Sequence, residues 1–228
     1  MVDGWRVVAL LLMAGEGSRF GGPKQFVLLG GAPLYWHALT ALRRCAGIDE
    51  IVLVCPPGRE VEEGERVISG GKSRQESVYL GLQAVEADIV VIHDAARPFV
   101  TEGIIEAAIR AAIAVGAADT CIPAVDTMVR SADGKRIGEI PPRAEFFRGQ
   151  TPQAFRYAWI KEAHEATRGQ GATDDCQLIL QQGRPVAIVE GSEMNFKITS
   201  KRDLEIAEAL LQRSAALRST ASTERDEP

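Results

Sequence analysis

Residues Leu11–Gln25 read LLMAGEGSRFGGPKQ, and the meaning of this stretch decides the fold. The apolar run Val7–Met13 leads into it and predicts a buried strand. The strand breaks into Ala14-Gly15-Glu16-Gly17-Ser18-Arg19, a second glycine pair follows, and Pro23-Lys24-Gln25 closes the loop. Glycines just past a strand let the main chain approach a ligand closely and adopt φ > 0. Two flanking cations, Arg19 and Lys24, suit a triphosphate and would offset charge at a reacting phosphorus. The dinucleotide pattern G-x-G-x-x-G does not fit, because Phe20 stands where its third glycine belongs. A mononucleotide loop remains open, beside the plainer reading of a glycine turn with surface charges.

Working outward, Leu34, Trp36, Leu39 and Leu42 have helical spacing behind Pro33, and Glu50–Val54 is a short strand. Arg66–Ser69 is a further strand, and Ser73-Arg74-Gln75-Glu76 is a capping box that opens a helix. Asp88–His93 (DIVVIH) has the apolar character of a strand buried on both faces of a parallel sheet. Thr101–Val115 predicts a helix and Ala118–Pro123 a strand. Tyr157–Ala166 and Thr173–Gln182 predict helices, Pro185–Val189 and Asn195–Ile198 strands, and Ser200–Arg213 a helix. This alternation implies a doubly wound α/β sheet with helices on both faces. Between its halves, Thr127–Arg130 and Arg136–Ile140 flank Asp133-Gly134, a strong hairpin signal. Such a hairpin is too poor in apolar surface to stand alone, so a partner subunit is expected to receive it. The expected organisation is one domain over residues 1–215, with a protruding arm at 126–149 and a polar, disordered tail at 216–228.

The chain has 228 residues and a formal charge of −5, enough for one sizeable core and unsuited to a general nucleic-acid surface. Its four cysteines form no C-x-x-C and read as buried thiols of a reducing compartment. With no signal or membrane-spanning run recognised, a cytoplasmic protein is expected.

Other residues could carry chemistry. Gly71-Lys72-Ser73 mimics a P-loop, but Arg66 stands where that motif needs a glycine. His93-Asp94-Ala95-Ala96-Arg97-Pro98 ends a buried strand, where ligands of open α/β sheets gather. Asp94 suits a ribose or a magnesium ion, or a structural pair with Arg97; His93 reads as a core imidazole. Thr127, Arg143 and Thr151 suit a phosphomonoester, or are simply polar residues of an arm. Lys197, between Phe196 and Ile198, points to solvent or into a site.

Taken together, Ala14-Gly15-x-Gly-x-Arg19, Pro23-Lys24-Gln25, Gly70-Gly71 with Arg74 and Ser77, His93–Pro98, Asp126-Thr127, Thr151-Pro152-Gln153, Thr173-Asp174-Asp175 and Asn195-x-Lys197-x-Thr199 resemble the 2-C-methyl-D-erythritol 4-phosphate cytidylyltransferase family. The match runs from about Arg6 to Leu210. The resemblance implies a Rossmann-like nucleotidyltransferase fold, a homodimer through the β-arm, and magnesium-dependent transfer of CMP from CTP to a sugar-alcohol phosphate. By position, Arg19, Lys24 and Lys197 would act at the α-phosphate. Ala14, Gly15, Gly71, Ser77, Asp94 and Ala95 would hold the nucleoside. Thr127, Arg143 and Thr151 would grip the acceptor, with Arg148 an alternative to Arg143. No metal ligand is assigned, since magnesium would be held mainly by the CTP phosphates. Lys72 departs from the family's usual acidic residue. The alternatives are a ribitol 5-phosphate cytidylyltransferase and a non-catalytic CTP-binding protein.

Overall fold

The computed structural model describes residues 1–223 except Arg19, Glu60, Glu62, Gly169 and Gln170, with side chains described as far as Arg213. Its strands are β1 (Val7–Leu12), β2 (Leu28–Leu29), β3 (Ala32–Pro33), β4 (Glu50–Cys55), β5 (Arg66–Ser69), β6 (Ile89–Asp94), β7 (Ala117–Pro123), β8 (Phe147–Arg156) and β9 (Ala187–Glu190). Its helices are α1 (Leu34–Arg44), α2 (Arg74–Gln83), α3 (Glu102–Val115), α4 (Tyr157–Ala166), α5 (Asp175–Gln181) and α6 (Lys201–Thr223). Seven strands form one sheet in the order β5-β4-β1-β6-β8-β7-β9, and β2 and β3 make a small antiparallel pair. All pairings in the large sheet are parallel except those of β8, which runs antiparallel to both β6 and β7.

Strand β1 is apolar at every position because both faces are covered. Val7, Ala9 and Leu11 pack with α1 and α3 through Leu39, Leu42, Ile105 and Ile109. Val8 and Leu10 pack with α2, α4 and α5 through Val78, Leu82, Ile160 and Ile179. The expected capping box is present: the Ser73 hydroxyl accepts the Glu76 N–H. Thr101 caps α3 in the same way, and Gly116 ends it in the left-handed conformation at φ 110°.

Three expectations need correction. Asn195–Ile198 is not a strand; it is an irregular segment tied down by the Ile198 N–H to the Ala96 carbonyl. Strand β8 does not follow from the local pattern, because Pro152 lacks a ladder donor and argues against a central strand. The register with β7 shifts between Asp119 opposite Gln153 and Cys121 opposite Gly149, which places Thr151-Pro152 in the irregularity that a proline tolerates. The helix expected to stop at Arg213 continues to Thr223, across most of the segment 216–228 expected to be disordered; Ala215, Ala216, Leu217 and Arg218 are strong helix formers.

The arm leaves β7 at Pro123 and returns as β8 at Phe147. Its Asp-Gly turn forms, with the Asp133 carboxylate accepting the N–H groups of Lys135 and Arg136. The expected paired strands shrink to a single bridge between Arg130 and Glu139. Val125, Val129, Ile137 and Ile140 are all exposed along it.

Candidate active site

A cleft of about 780 Å³ opens at the carboxyl ends of β1, β4, β5 and β6. That is where an open α/β sheet places its ligands, and the volume is within the range of small-molecule sites. Five turns build it: the glycine loop after β1, Pro56-Pro57 after β4, Gly70-Gly71 before α2, Asp94 and Ala96 after β6, and the segment bearing Lys197.

The glycine loop is shaped by close approaches. Gly17 sits at φ 67°, and a Cβ there would lie 1.8 Å from the Gly22 carbonyl oxygen. The turn takes three N–H groups, from Phe20, Gly21 and Gly22, onto the Gly17 oxygen. Buried Gln25 holds the loop from beneath, its amide donating to the carbonyls of Met13 and Gly15. Lys24 precedes it in a short 3₁₀ turn and faces the cleft. Gly70 is equally constrained: a Cβ there would stand 2.4 Å from that of Ala14. Ser77 is nearly buried; its hydroxyl accepts the Gly71 N–H and donates to the Ser73 carbonyl.

Asp94 organises the other wall. Its Oδ2 accepts from Lys197 Nζ at 2.7 Å, and Arg74 Nε lies 3.7 Å from Oδ1. Burial alone would push the Asp94 carboxyl up, but Lys197 and Arg74 outweigh it and hold it well below the usual carboxylate range. Beneath it, Thr151 Oγ1 accepts the Asp94 N–H and contacts His93 Nδ1 at 3.0 Å. The Arg97 carbonyl can only accept, so His93 Nε2 carries the hydrogen and Nδ1 of the neutral ring accepts from the Thr151 hydroxyl. Burial keeps this imidazole neutral, its pKa lowered to about 4. Arg97 donates to the carbonyl of Asn195, whose own amide donates to Gln150 and to the Thr151 carbonyl. These bonds fix the segment on which Lys197 rides.

The structure therefore gathers Ala14, Gly15, Lys24, Gly71, Ser77, Asp94 and Lys197 around one cleft. Arg19 lies outside the described residues. Ala95 is fully buried, its N–H on the Leu12 carbonyl, and it is Ala96 that reaches the lining. Thr151 is buried under the cleft rather than open to it. Thr127 and Arg143 belong to the exposed arm, where Arg143 Nη1 donates to the Val125 carbonyl at 2.7 Å. Arg148, the alternative, pairs with Glu193. None of the arm residues lines the cleft of its own chain.

Sequence reasoning left Gln25 and the Arg74–Asp175 pair unassigned. Polar residues inside recognisable motifs are their only signal, since burial decides their importance. Asp175 is buried; Arg74 Nη1 donates to it at 2.6 Å and His164 Nε2 lies 2.9 Å from its other oxygen.

Residues 7–213 match the model of the IspD family, described as 2-C-methyl-D-erythritol 4-phosphate cytidylyltransferase. The chain belongs to that family. Relatives of that name include one from Thermus thermophilus, 42% identical over 90% of this chain and 96% of its own length. One from Pelotomaculum thermopropionicum is 39% identical over 91% and 94%. Among solved structures, a Thermus thermophilus cytidylyltransferase of the same name superposes with a TM-score of 0.77 at 38% identity, covering 90% of this chain and 98% of that one. The Anaerococcus prevotii 4-diphosphocytidyl-2C-methyl-D-erythritol synthase reaches 0.83 at 30% identity, covering 92% and 98%. IspD membership makes this chain a nucleotidyltransferase that moves CMP from CTP to 2-C-methyl-D-erythritol 4-phosphate in isoprenoid biosynthesis, giving 4-diphosphocytidyl-2-C-methyl-D-erythritol and pyrophosphate. Among the described residues no helix is long and apolar enough to cross a membrane.

Proposed function

We propose that CTP lies in the cleft with its triphosphate between Lys24 and Lys197, and that the enzyme works as a homodimer in the cytoplasm. The convergence of those two lysines on one cleft with the glycine loop carries this reading. An oxygen of the acceptor phosphate attacks the α-phosphorus, the bond to the β-phosphate oxygen breaks, and pyrophosphate leaves. The attacking phosphate is already anionic near neutral pH, so no general base is needed. Catalysis consists of bringing two anions together and offsetting charge in the displacement. Lys24 and Lys197 supply that charge, with Arg19 assigned to the same task from its place in the sequence. Asp94 tethers and orients Lys197, and Ala14, Gly15, Gly71 and Ser77 shape the nucleoside end.

The donor set suits magnesium held chiefly by substrate. Among the described residues no three His, Cys, Asp or Glu side chains cluster as a metal site, and Asp94 is the buried carboxylate in the cleft. With CTP bound, Asp94 and the phosphates would hold the ion, which would supply charge neutralisation at the transferred group. The acceptor-binding residues Thr127 and Arg143 are assigned to a partner's cleft, since neither lines the cleft of its own chain.

The decisive experiment is pyrophosphate release from CTP and magnesium, with methylerythritol 4-phosphate and ribitol 5-phosphate tested in parallel. Release with the first acceptor, abolished by EDTA and restored by magnesium, is expected. Release with ribitol 5-phosphate alone would overturn the acceptor assignment.

A further inference from the structure

A second cavity, of about 490 Å³, lies between α2 and α4, behind the α2 wall of the cleft. It shares Lys72, Ser73, Glu76 and Leu80 with that cleft, and none of the residues assigned to CMP transfer lines it. Its lining includes the Tyr79 ring, Leu80, Lys72, Arg168 and His164. The Arg168 guanidinium stands 5.1 Å from the Tyr79 ring centroid, so a flat cationic and aromatic wall is already assembled. Gln75 braces the opposite side. Its amide donates to the Thr167 carbonyl and accepts the N–H groups of Gly171 and Ala172.

His164 is the telling member. It is 1% exposed, and its Nδ1 is buried without any hydrogen-bond partner. Its Nε2 faces the Asp175 carboxylate and so carries a hydrogen, which leaves Nδ1 as the ring atom without a partner. A buried polar atom left unpaired is costly and calls for a partner. A phosphomonoester fits both demands. Its phosphoryl group offers Nδ1 a P–OH donor as the monoanion or oxygen acceptors as the dianion, while its charge meets Lys72 and Arg168.

The pocket is also wired to the reaction. His164 meets Asp175 at 2.9 Å, Asp175 meets Arg74 at 2.6 Å, Arg74 approaches Asp94 at 3.7 Å, and Asp94 holds Lys197 at 2.7 Å. A ligand that draws on the His164 ring alters the first link of this chain. We propose that the cavity is a second binding site, for a small phosphomonoester with a flat apolar body, and that its occupancy is coupled to the CTP cleft through His164, Asp175, Arg74 and Asp94. The coupling rests on CTP occupying the cleft; the binding does not.

The test titrates the full chain with phenyl phosphate by calorimetry, with and without saturating CTP and magnesium. Phenyl sulfate, which has no proton to share, is the control. Saturable binding of phenyl phosphate is expected in both cases, at least about fivefold tighter than phenyl sulfate and at least about fivefold weakened by Arg168→Ala. Arg168 is exposed and off the reaction path, so this variant transfers CMP at the parent rate. CTP is expected to change the phenyl phosphate Kd by about threefold or more, and phenyl phosphate to change the CTP Kd by the same factor. His164→Gln is expected to abolish that mutual effect. No saturable binding, complete displacement by CTP, or indifference to Arg168→Ala overturns the site; an unchanged Kd with CTP overturns the coupling. A parent chain that binds phenyl phosphate yet transfers no CMP would count against the reaction assignment and leave the site standing.

Discussion

Asp94 sits where the Lys197 and Arg74 cations converge, and the consequences can be measured one side chain at a time. In the proposed mechanism Lys197 acts on charge formed only in the displacement, and replacing it with Ala removes that cation. The expected loss in kcat is about 10²–10³-fold, with the CTP KM changed far less. Steady-state kinetics with circular dichroism as a folding control decides it. A second prediction concerns pH. His93 has its pKa depressed to about 4 by burial, so its folded state resists protonation and stability from this group falls as pH drops from about 6.5 to 4. Asp119 behaves oppositely: burial, with Asp174 nearby, pushes it up to about 6 although Gln153 donates to it. The folded state then holds a proton that the unfolded chain lacks, and stability rises over almost the same interval. The two contributions oppose each other between about pH 6.5 and 4.5, so the parent chain is expected to change less over that interval than a variant lacking either one. Urea unfolding of His93→Gln should show stability rising as pH falls, and Asp119→Asn should show it falling. The residues that bear charge in the cleft were legible, because Lys24, Asp94 and Lys197 stand in dense motifs. The role of Thr151 was not, since its sequence neighbourhood does not reveal that its hydroxyl is spent beneath Asp94.

At the scale of elements, the cleft depends on two loops that touch through small residues. Gly70→Ala would drive a Cβ into Ala14 and separate the turns after β1 and β5. The CTP KM is expected to rise about tenfold, and Ala14→Gly in the same chain to recover most of it, because the two positions share one contact. Kinetics of the two single variants and the double variant provide the check. Arg97→Gln would release the Asn195 carbonyl and loosen the segment bearing Lys197. A fall in kcat of about tenfold is expected, with the acceptor KM little changed. Most helices and parallel strands announced themselves by periodicity and caps, as the capped starts of α2 and α3 illustrate. Two of the failures share a cause: β8 contains Pro152, and Asn195–Ile198 looks extended only by composition. In both, long-range hydrogen bonds decide the conformation, and a local pattern does not carry them.

For the whole molecule, the arm exposes a run of apolar side chains, Val125, Val129, Ile137 and Ile140. Ile137→Asp with Ile140→Asp leaves the cleft untouched and is expected to give a monomer by sedimentation, with CMP transfer reduced at least about tenfold if a partner supplies Thr127 and Arg143. A dimer that persists would move the interface elsewhere. The strand that leaves this arm is also the one that passes under the catalytic wall. β8 begins at Phe147, beside the arm, and further along carries Thr151, whose hydroxyl supports the main chain of Asp94. A grip on the arm thus pulls on the same stiff ribbon that levels Asp94, and through it Lys197. Turnover per chain should accordingly report on dilution: whatever loosens the arm at its far end slackens the bench on which the lysine is clamped.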